Sequence, residues 1–421
     1  MVNELLNFIK KSPSPYHTVC TAKDMLLSAG YTEIFESENW NLPDGGKYFV
    51  IRNGTSLIAF RVRKNANGFM IVASHSDSPS FRLKMTPELS GAYVRLEVEK
   101  YGGMIYYSWL DRPLSLAGRV VVKNDCGIES RLVNIDRDFA VIPSLAIHMN
   151  RSVNDGYKFN PAVDLLPVVG SGQALGSVMR ELAKEARVAE DDIISHDVFL
   201  YNREEGRVIG ADGEYILSPR LDDLECVFGS LKAFLSSRGC QSIPVFAVFD
   251  NEEVGSETKQ GAASTFLVDV LSRIAGEKYQ MMLDSSFMVS ADNAHAKHPN
   301  HPELSDADNA PVMNGGIVIK WNANQKYATD GISDALFRTV CDRVGAKTQR
   351  YYNRADMLSG STLGSISNTK VSVPTVDIGL AQLAMHSASE TAGSEDILYL
   401  VKALTEFYSV SIQKIGRKIV F

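Results

Sequence analysis

The sequence predicts an α/β fold, a mostly parallel sheet sandwiched by helices, with a β-rich domain inserted into it. Three observations predict this. Residues 69–74, FMIVAS, form an unbroken apolar run, the pattern of a strand buried on both faces. After Leu221, helical and strand patterns alternate to the end of the chain, as in a sheet covered by helices. Between about residue 85 and 215, stretches such as YVRLEVEK and GRVVVKND alternate around turn signals at Gly102-Gly103 and Asp125 to Gly127. The strand before His75 matches the later sheet in type, so the first domain is read as 1-84 plus 215-421 and the insertion as 85-214.

In chain order, helices are expected over 3-11 and about 20-29, the second stopped by a left-handed Gly30. Strands 47-52 and 57-63 pair around Asn53-Gly54, and the strand 69-74 leads into His75. One helix, about 174-187, interrupts the insertion. Then follow helix 222-237, strand 243-249, helix 260-274, strands 279-283 and 316-320, helix 332-344, strands 347-352 and 371-378, and helix 395-412.

The 421 residues are 45% hydrophobic and 22% charged, an ordinary globular composition that excludes disorder as the main state. A net charge of −7 without a basic run argues against a nucleic-acid surface. No stretch approaches the roughly 20 apolar residues of a membrane span. The start, MVNELLNFIKKS, lacks a signal peptide's apolar core, so a cytoplasmic protein is expected. Cys20, Cys126, Cys226, Cys240 and Cys341 are scattered and contain no C-x-x-C, so any metal must be held by His and carboxylates.

In open α/β sheets, functional groups gather at the carboxyl edge, where loops vary while the strands hold them rigid. Four expected strand ends here carry metal-ligand chemistry. IVASHSDS puts His75 and Asp77 on one face of an extended chain, so the carboxylate can lie near the imidazole or its metal. VFAVFDNEEVGS ends in Asp250, Glu252 and Glu253; MMLDSSFMVSADNAHA places Asp284 and Asp292 after another strand; VDIGLAQLAMHS ends in His386. Asp222 and Asp223, in SPRLDDLE, open an expected helix. Singly, each has a plainer explanation: a satisfied core histidine, a solvated turn, a helix cap. Apolar flanks and recurrence at four ends of one sheet point instead to a metal site.

Other patterns carry less. His295, His298 and His301 form H-x-x-H-x-x-H, but Pro299 and Pro302 forbid a helix presenting them on one side. VVGSGQALG approaches a dinucleotide loop, yet Gly176 falls one residue late. In GIVIKWNANQKYAT, alternation sets Ile317 and Ile319 on one face and Val318 and Lys320 on the other. A lysine at a buried strand's end needs either a structural carboxylate or a ligand.

HSD at 75-77, RLDD at 220-223, DNEEVGS at 250-256, SADNAHAKHPN at 290-300, IKWNANQKYAT at 319-329 and LAMHSASE at 383-390 occur in that order. Together with YGGMIYYSWLDRPLSLAGRV, IPSLAIHMNR and NRADMLSGSTLG, they resemble the aspartyl aminopeptidase family of dinuclear zinc exopeptidases over nearly the whole chain. Asp223 stands where many members have Asn, and Gly315-Gly316 where Gly-Pro is frequent.

The resemblance implies a zinc exopeptidase-like catalytic domain interrupted by a β-rich dimerisation domain, in dimers assembling to a tetrahedral dodecamer. It implies two zinc ions per subunit, one held by His75 and Asp292, the other by Glu253 and His386, with Asp222 bridging. Cobalt or manganese suits the same N/O donors. Glu252 would be the general base and then the general acid, and Asp77 would orient His75. His148 would reach a neighbouring subunit's site to stabilise the tetrahedral intermediate, and Lys320 would face the first substrate side chain. The expected activity is removal of N-terminal Asp or Glu from peptides. A neutral, leucine-type aminopeptidase is the same-fold alternative, and a non-catalytic binding or cargo protein the remote one.

Overall fold

The computed structural model describes residues 1–416 and 418–420. Its central sheet has nine strands, in the order Thr32–Glu33, Lys47–Arg52, Ser56–Arg61, Ile243–Phe249, Phe69–His75, Phe287–Ala291, Thr375–Gly379, Ile317–Trp321 and Thr348–Tyr352. The four middle strands, from Ile243–Phe249 to Thr375–Gly379, are mutually parallel, so their carboxyl ends share one edge.

Helix layers on both faces explain the unbroken apolar runs. Along Phe69–His75, Met70 and Val72 pack into a core with the helices Val2–Lys10, Pro15–Ser28, Leu221–Ser236, Gly331–Arg343 and Asp396–Phe407. Phe69, Ile71 and Ala73 pack into the opposite core, with Phe266–Ala275 and Leu363–Asn368. A strand covered on both sides has no position where a polar side chain reaches water.

Strands between Ser80 and Asn202 form a separate six-stranded antiparallel sheet, which carries the helix Ser177–Ala186 and its own apolar core. Its first strand, Ser80–Leu89, begins five residues after His75, so this sheet borders the central sheet's carboxyl edge. A five-stranded sheet includes Ala381–Leu383 and Glu390–Gly393, and His386 lies in the loop between them.

The structure corrects several element assignments: the helix expected over about 20-29 is Pro15–Ser28, the strand expected over 371-378 is Thr375–Gly379, and the helix expected over 395-412 ends at Phe407. Residues expected as a strand at 279-283 are the helix Tyr279–Asp284, and the strand is Phe287–Ala291. A short apolar run does not by itself distinguish strand from helix. Met281 is 74% exposed beside buried Met282, whereas all five residues of Phe287–Ala291 are buried, and only the latter pattern suits a central strand. The helix expected from 260 starts at Phe266, because the chain before it braces the turn that follows Phe249. There the Gln260 carbonyl accepts from Ser56 Oγ, and the Gln260 amide donates to Asn251 Oδ1 at 2.7 Å. Gly30 is left-handed (φ +80°), as expected of a helix stop.

Candidate metal centre

Parallel pairing sets Phe249 beside His75 and Ala291 beside Ile378, so the residues that follow converge on one edge. His75 ends its strand with its ring buried, and Nδ1 lies 3.0 Å from the backbone carbonyl of Asp77. A carbonyl only accepts, so Nδ1 carries the proton and Nε2 presents a lone pair. That Nε2 is 3.5 Å from Asp222 Oδ1 and 3.9 Å from Asp292 Oδ1.

His386 repeats the arrangement. Its Nδ1 lies 2.6 Å from the Gly103 carbonyl, while Nε2 is 3.3 Å from Glu253 Oε2 and 3.5 Å from Asp222 Oδ2. The two oxygens of Asp222 thus face two donor groups. One contains His75, Asp222, Asp223 and Asp292, the other Asp222, Glu253 and His386, and within each the donor atoms lie within 4.8 Å of one another. Asp222 Oδ1 and Glu253 Oε1 are buried without a hydrogen-bond partner. Removing carboxylates from water costs several kcal/mol per ion unless charge compensates them, so this all N/O donor set fits divalent cations.

Backbone contacts hold these donor groups in place. Asp77 is fully buried, and its carboxylate accepts from the N–H groups of Glu252 (3.1 Å) and Glu253 (3.2 Å) and from Tyr101 Oη at 2.7 Å. It also lies 3.4 Å from His75 Nδ1, so it touches both the histidine of the first donor group and the Glu252–Glu253 turn. Asn251, left-handed at φ +64°, turns the chain there, a conformation Asn tolerates better than most residues. Glu390 accepts from the backbone N–H of His386 (2.7 Å) and of Asp222 (3.0 Å), joining the two loops. Gly102, at φ +76°, lets the Tyr101–Gly103 turn press against Glu253, where an added Cβ would meet the Glu253 Cβ at 3.2 Å.

Tyr101, Gly103 and Glu390 were assigned no role in the sequence, although each lies in a quoted motif. Helix Leu221–Ser236 begins irregularly: Asp222 and Asp223 are non-helical and joined by a cis peptide, and Asp223 Oδ2 accepts from His75 N–H at 3.1 Å.

Not every strand-end carboxylate joins the site. Asp250 is in neither donor group; it accepts from Asn251 N–H, and burial pushes its carboxyl up to about 7. Asp284 ends the Tyr279–Asp284 helix and pairs with Lys414 at 2.8 Å.

A pocket of about 170 Å³ opens onto the centre, lined among others by Glu252, Lys320, His295, Tyr327 and Tyr351. Of the three histidines set aside in the sequence, His295 therefore borders the site. His298 and His301 lie in the exposed stretch beyond it, where His301 pairs with Glu303. Lys320 is 3% exposed; its ammonium donates to the Asn293 carbonyl at 2.8 Å and lies 3.6 Å from Asp292 Oδ2. Val318, on the same strand face, packs with Tyr327 and Tyr351, whereas Ile317 and Ile319 join the main core. His148 is exposed in a turn and is not among the pocket-lining residues.

Crowded charge shifts the titrating groups. Burial pushes Glu252 up to about 8, and burial together with the Asp222 charge pushes Glu390 up to about 8. Burial opposes the imidazolium of His386, but Asp222 and Glu253 outweigh it and raise the group to about 10. Groups whose folded pKa is raised stabilise the fold fully below their unfolded pKa and lose that contribution as pH climbs to the folded value. For the carboxyls the window runs from their ordinary 4.5 to about 8, and for His386 from 6.5 to about 10. Chelator-treated protein is therefore expected to show a falling Tm between about pH 5 and 8, a fall that added Zn²⁺ largely abolishes by taking the protons' place. Calorimetry with and without chelator measures this; a Tm that is flat or rises with pH in the chelator series would contradict it.

A largely parallel α/β sheet whose carboxyl edge carries two donor groups joined through one carboxylate is suited to hold metal ions, and the family match makes this protein a metal-dependent hydrolase. The chain belongs to the M18 family of aminopeptidases: the family described as aminopeptidase I zinc metalloprotease (M18) matches residues 8–408. A probable M18 family aminopeptidase 2 of Clostridium acetobutylicum is 44% identical, with 97% of this chain and 98% of that protein covered. A chain of the Ape4 and Nbr1 complex solved by cryo-EM superposes with a TM-score of 0.93 at 35% identity, covering 96% of this chain and 84% of that one. A chain of the S. cerevisiae mApe1 dodecamer superposes with a TM-score of 0.85 at 29% identity, covering 96% of this chain and 95% of that one. Among the described residues no helix is long and apolar enough to cross a membrane.

Proposed function

We propose that this aminopeptidase hydrolyses N-terminal Asp and Glu residues from peptides at a pair of zinc ions. His75 and Asp292 would hold one ion and Glu253 and His386 the other, with Asp222 bridging. The observation that carries this reading is the division of Asp222, one oxygen toward His75, which also lies beside Asp292, and the other toward His386, which also lies beside Glu253. When bound, the cations supply Lewis acidity for the scissile carbonyl and a nucleophile at neutral pH. Glu252 lines the pocket but stands outside both donor groups, which suits a base that takes the attacking water's proton and delivers it to the leaving amine. Asp77 serves by fixing the Glu252–Glu253 turn and the His75 ring.

Residues 1-84 plus 215-421 act as the catalytic domain in this reading, and 85-214 as an inserted domain that joins subunits. His148 is the residue that crosses to a neighbouring site. Leu145, Ile147 and Met149 around it are 58%, 49% and 79% exposed, a run of apolar surface best covered by a second copy of the chain. A homo-oligomer up to the size of the dodecameric relative fits this arrangement. The five unpaired cysteines fit a cytoplasmic location.

Acidic preference rests on Lys320, whose ammonium sits in the pocket beside Tyr327 and His295. A neutral substrate side chain leaves that charge without a substrate partner, which is how a buried cation discriminates. Its contact with Asp292 partly satisfies the charge already, and this favours the leucine-type alternative. Elemental analysis together with one Asp- and one Leu-terminated chromogenic substrate tests both points. The expectation is two metals per chain and a higher kcat/KM for the Asp substrate. Lys320→Ala is then expected to lower kcat/KM for Asp- and Glu-terminated substrates at least about tenfold more than for Leu- or Ala-terminated ones. Equal losses on all four would hand the function to the neutral aminopeptidase.

A further inference from the structure

Asn293 follows Asp292 and is 2% exposed, and its side chain and carbonyl contact three other segments that border the pocket, those of Asp222, Lys320 and His386. Its Nδ2 donates to the Leu221 carbonyl at 3.1 Å, just before Asp222, and to Gln382 Oε1 at 3.1 Å, on the strand leading to His386. A longer contact, 3.5 Å, runs from Nδ2 to Glu225 Oε2. Its Oδ1 accepts from the Cys226 thiol at 3.2 Å and from Leu380 N–H at 3.4 Å. Its own carbonyl seats the Lys320 ammonium. Among the described residues, Asn293 is the only side chain hydrogen-bonded to the Glu225 carboxyl, which is fully buried.

We propose that Asn293 is a positioning residue that locks the Asp222, Asp292 and His386 segments and the seat of Lys320 into one unit, with Glu225 as its buried partner. The two amide protons serve the Leu221 carbonyl and Gln382 Oε1, with Glu225 Oε2 as a longer third contact, and the amide oxygen faces two donors, a combination that neither a carboxylate nor a hydroxyl at that position supplies. Losing the clamp frees the peptide after Asp292, so the ligand carboxylate and the carbonyl under Lys320 move together. The substrate half of this inference rests on the reading of Lys320 given above; the metal half does not.

The test compares Asn293→Asp, Asn293→Ser and the double variant Asn293→Asp/Glu225→Gln with wild type. The double variant returns an amide donor to the pair from the opposite side. Metal retention is read by chelator competition on folded protein, and selectivity by the ratio of kcat/KM for Asp- over Leu-terminated substrates. Both single variants are expected to lose metal affinity by about 10–100-fold, the usual cost of removing a group that orients metal ligands. The Asp/Leu ratio should fall with it, and the double variant should recover only the part carried by the Glu225 contact, since an aspartate at 293 still cannot donate to the Leu221 carbonyl. A residue that only supports the fold would lower Tm and leave both readouts of the folded fraction unchanged, and that result would overturn the proposal. Should wild type itself show no Asp preference, the reading of Lys320 fails, and metal retention alone decides the role of Asn293.

Discussion

Glu252→Gln is expected to lower kcat by about 10²–10⁴, the range lost with a general base, while metal content and fold stay as in wild type. Glutamine keeps the size of the side chain and removes only its ability to take a proton. The backbone cannot drift to compensate, because Asp77 holds the N–H groups of both Glu252 and Glu253. Glu253→Gln should behave differently. Its carboxylate lies 3.3 Å from His386 Nε2 and has one oxygen buried without a partner, so neutralising it removes a ligand charge. Weakened metal retention, with activity partly restored by excess Zn²⁺, is the expected signature. Measuring metal content and kcat on both variants decides between the two roles; the opposite pattern would exchange base and ligand.

His148→Phe is expected to cripple turnover without loss of metal. The effect should approach that of removing an oxyanion donor, about 10²–10³ in kcat. Mixed with Glu252→Gln protein under conditions of subunit exchange, it should regain activity, since some sites then pair an intact Glu252 with a neighbour's intact His148. For random exchange between dimer partners the recovery tends to about a quarter of wild-type activity, because half the dimers are mixed and each has one complete site. His148 is exposed and flanked by exposed Leu145, Ile147 and Met149, so phenylalanine should be tolerated at this position in the isolated subunit. A mixture that exchanges subunits yet recovers nothing would return His148 to its own chain.

The donor residues that the fold brings together were legible in the sequence because His and carboxylates at the ends of apolar runs stand out by type. His75, Asp292 and Glu253 each follow an apolar run, although Asp250, directly after the same kind of run, joins neither donor group, so residue type at a strand end narrows the candidates without selecting them. The strand leading to Asp292 was nonetheless misplaced, since two apolar runs, YQMML and FMVSA, stand close together and periodicity over five residues favours neither.

The sequence by itself determined the layered α/β class, the N/O character of the donor set and the presence of a β-rich insertion, all properties of residue type and local period. Only the tertiary structure decided which oxygen of Asp222 faces which histidine, that His295 borders the pocket, and that Gly103 and Asp77 orient the two imidazoles through their carbonyls. A backbone carbonyl is the same in every residue, so no side-chain pattern marks the ones that matter. What selects them is the parallel pairing of distant strands, which brings residues 75, 250 and 292 to one edge and sets the inserted sheet's Gly103 against His386.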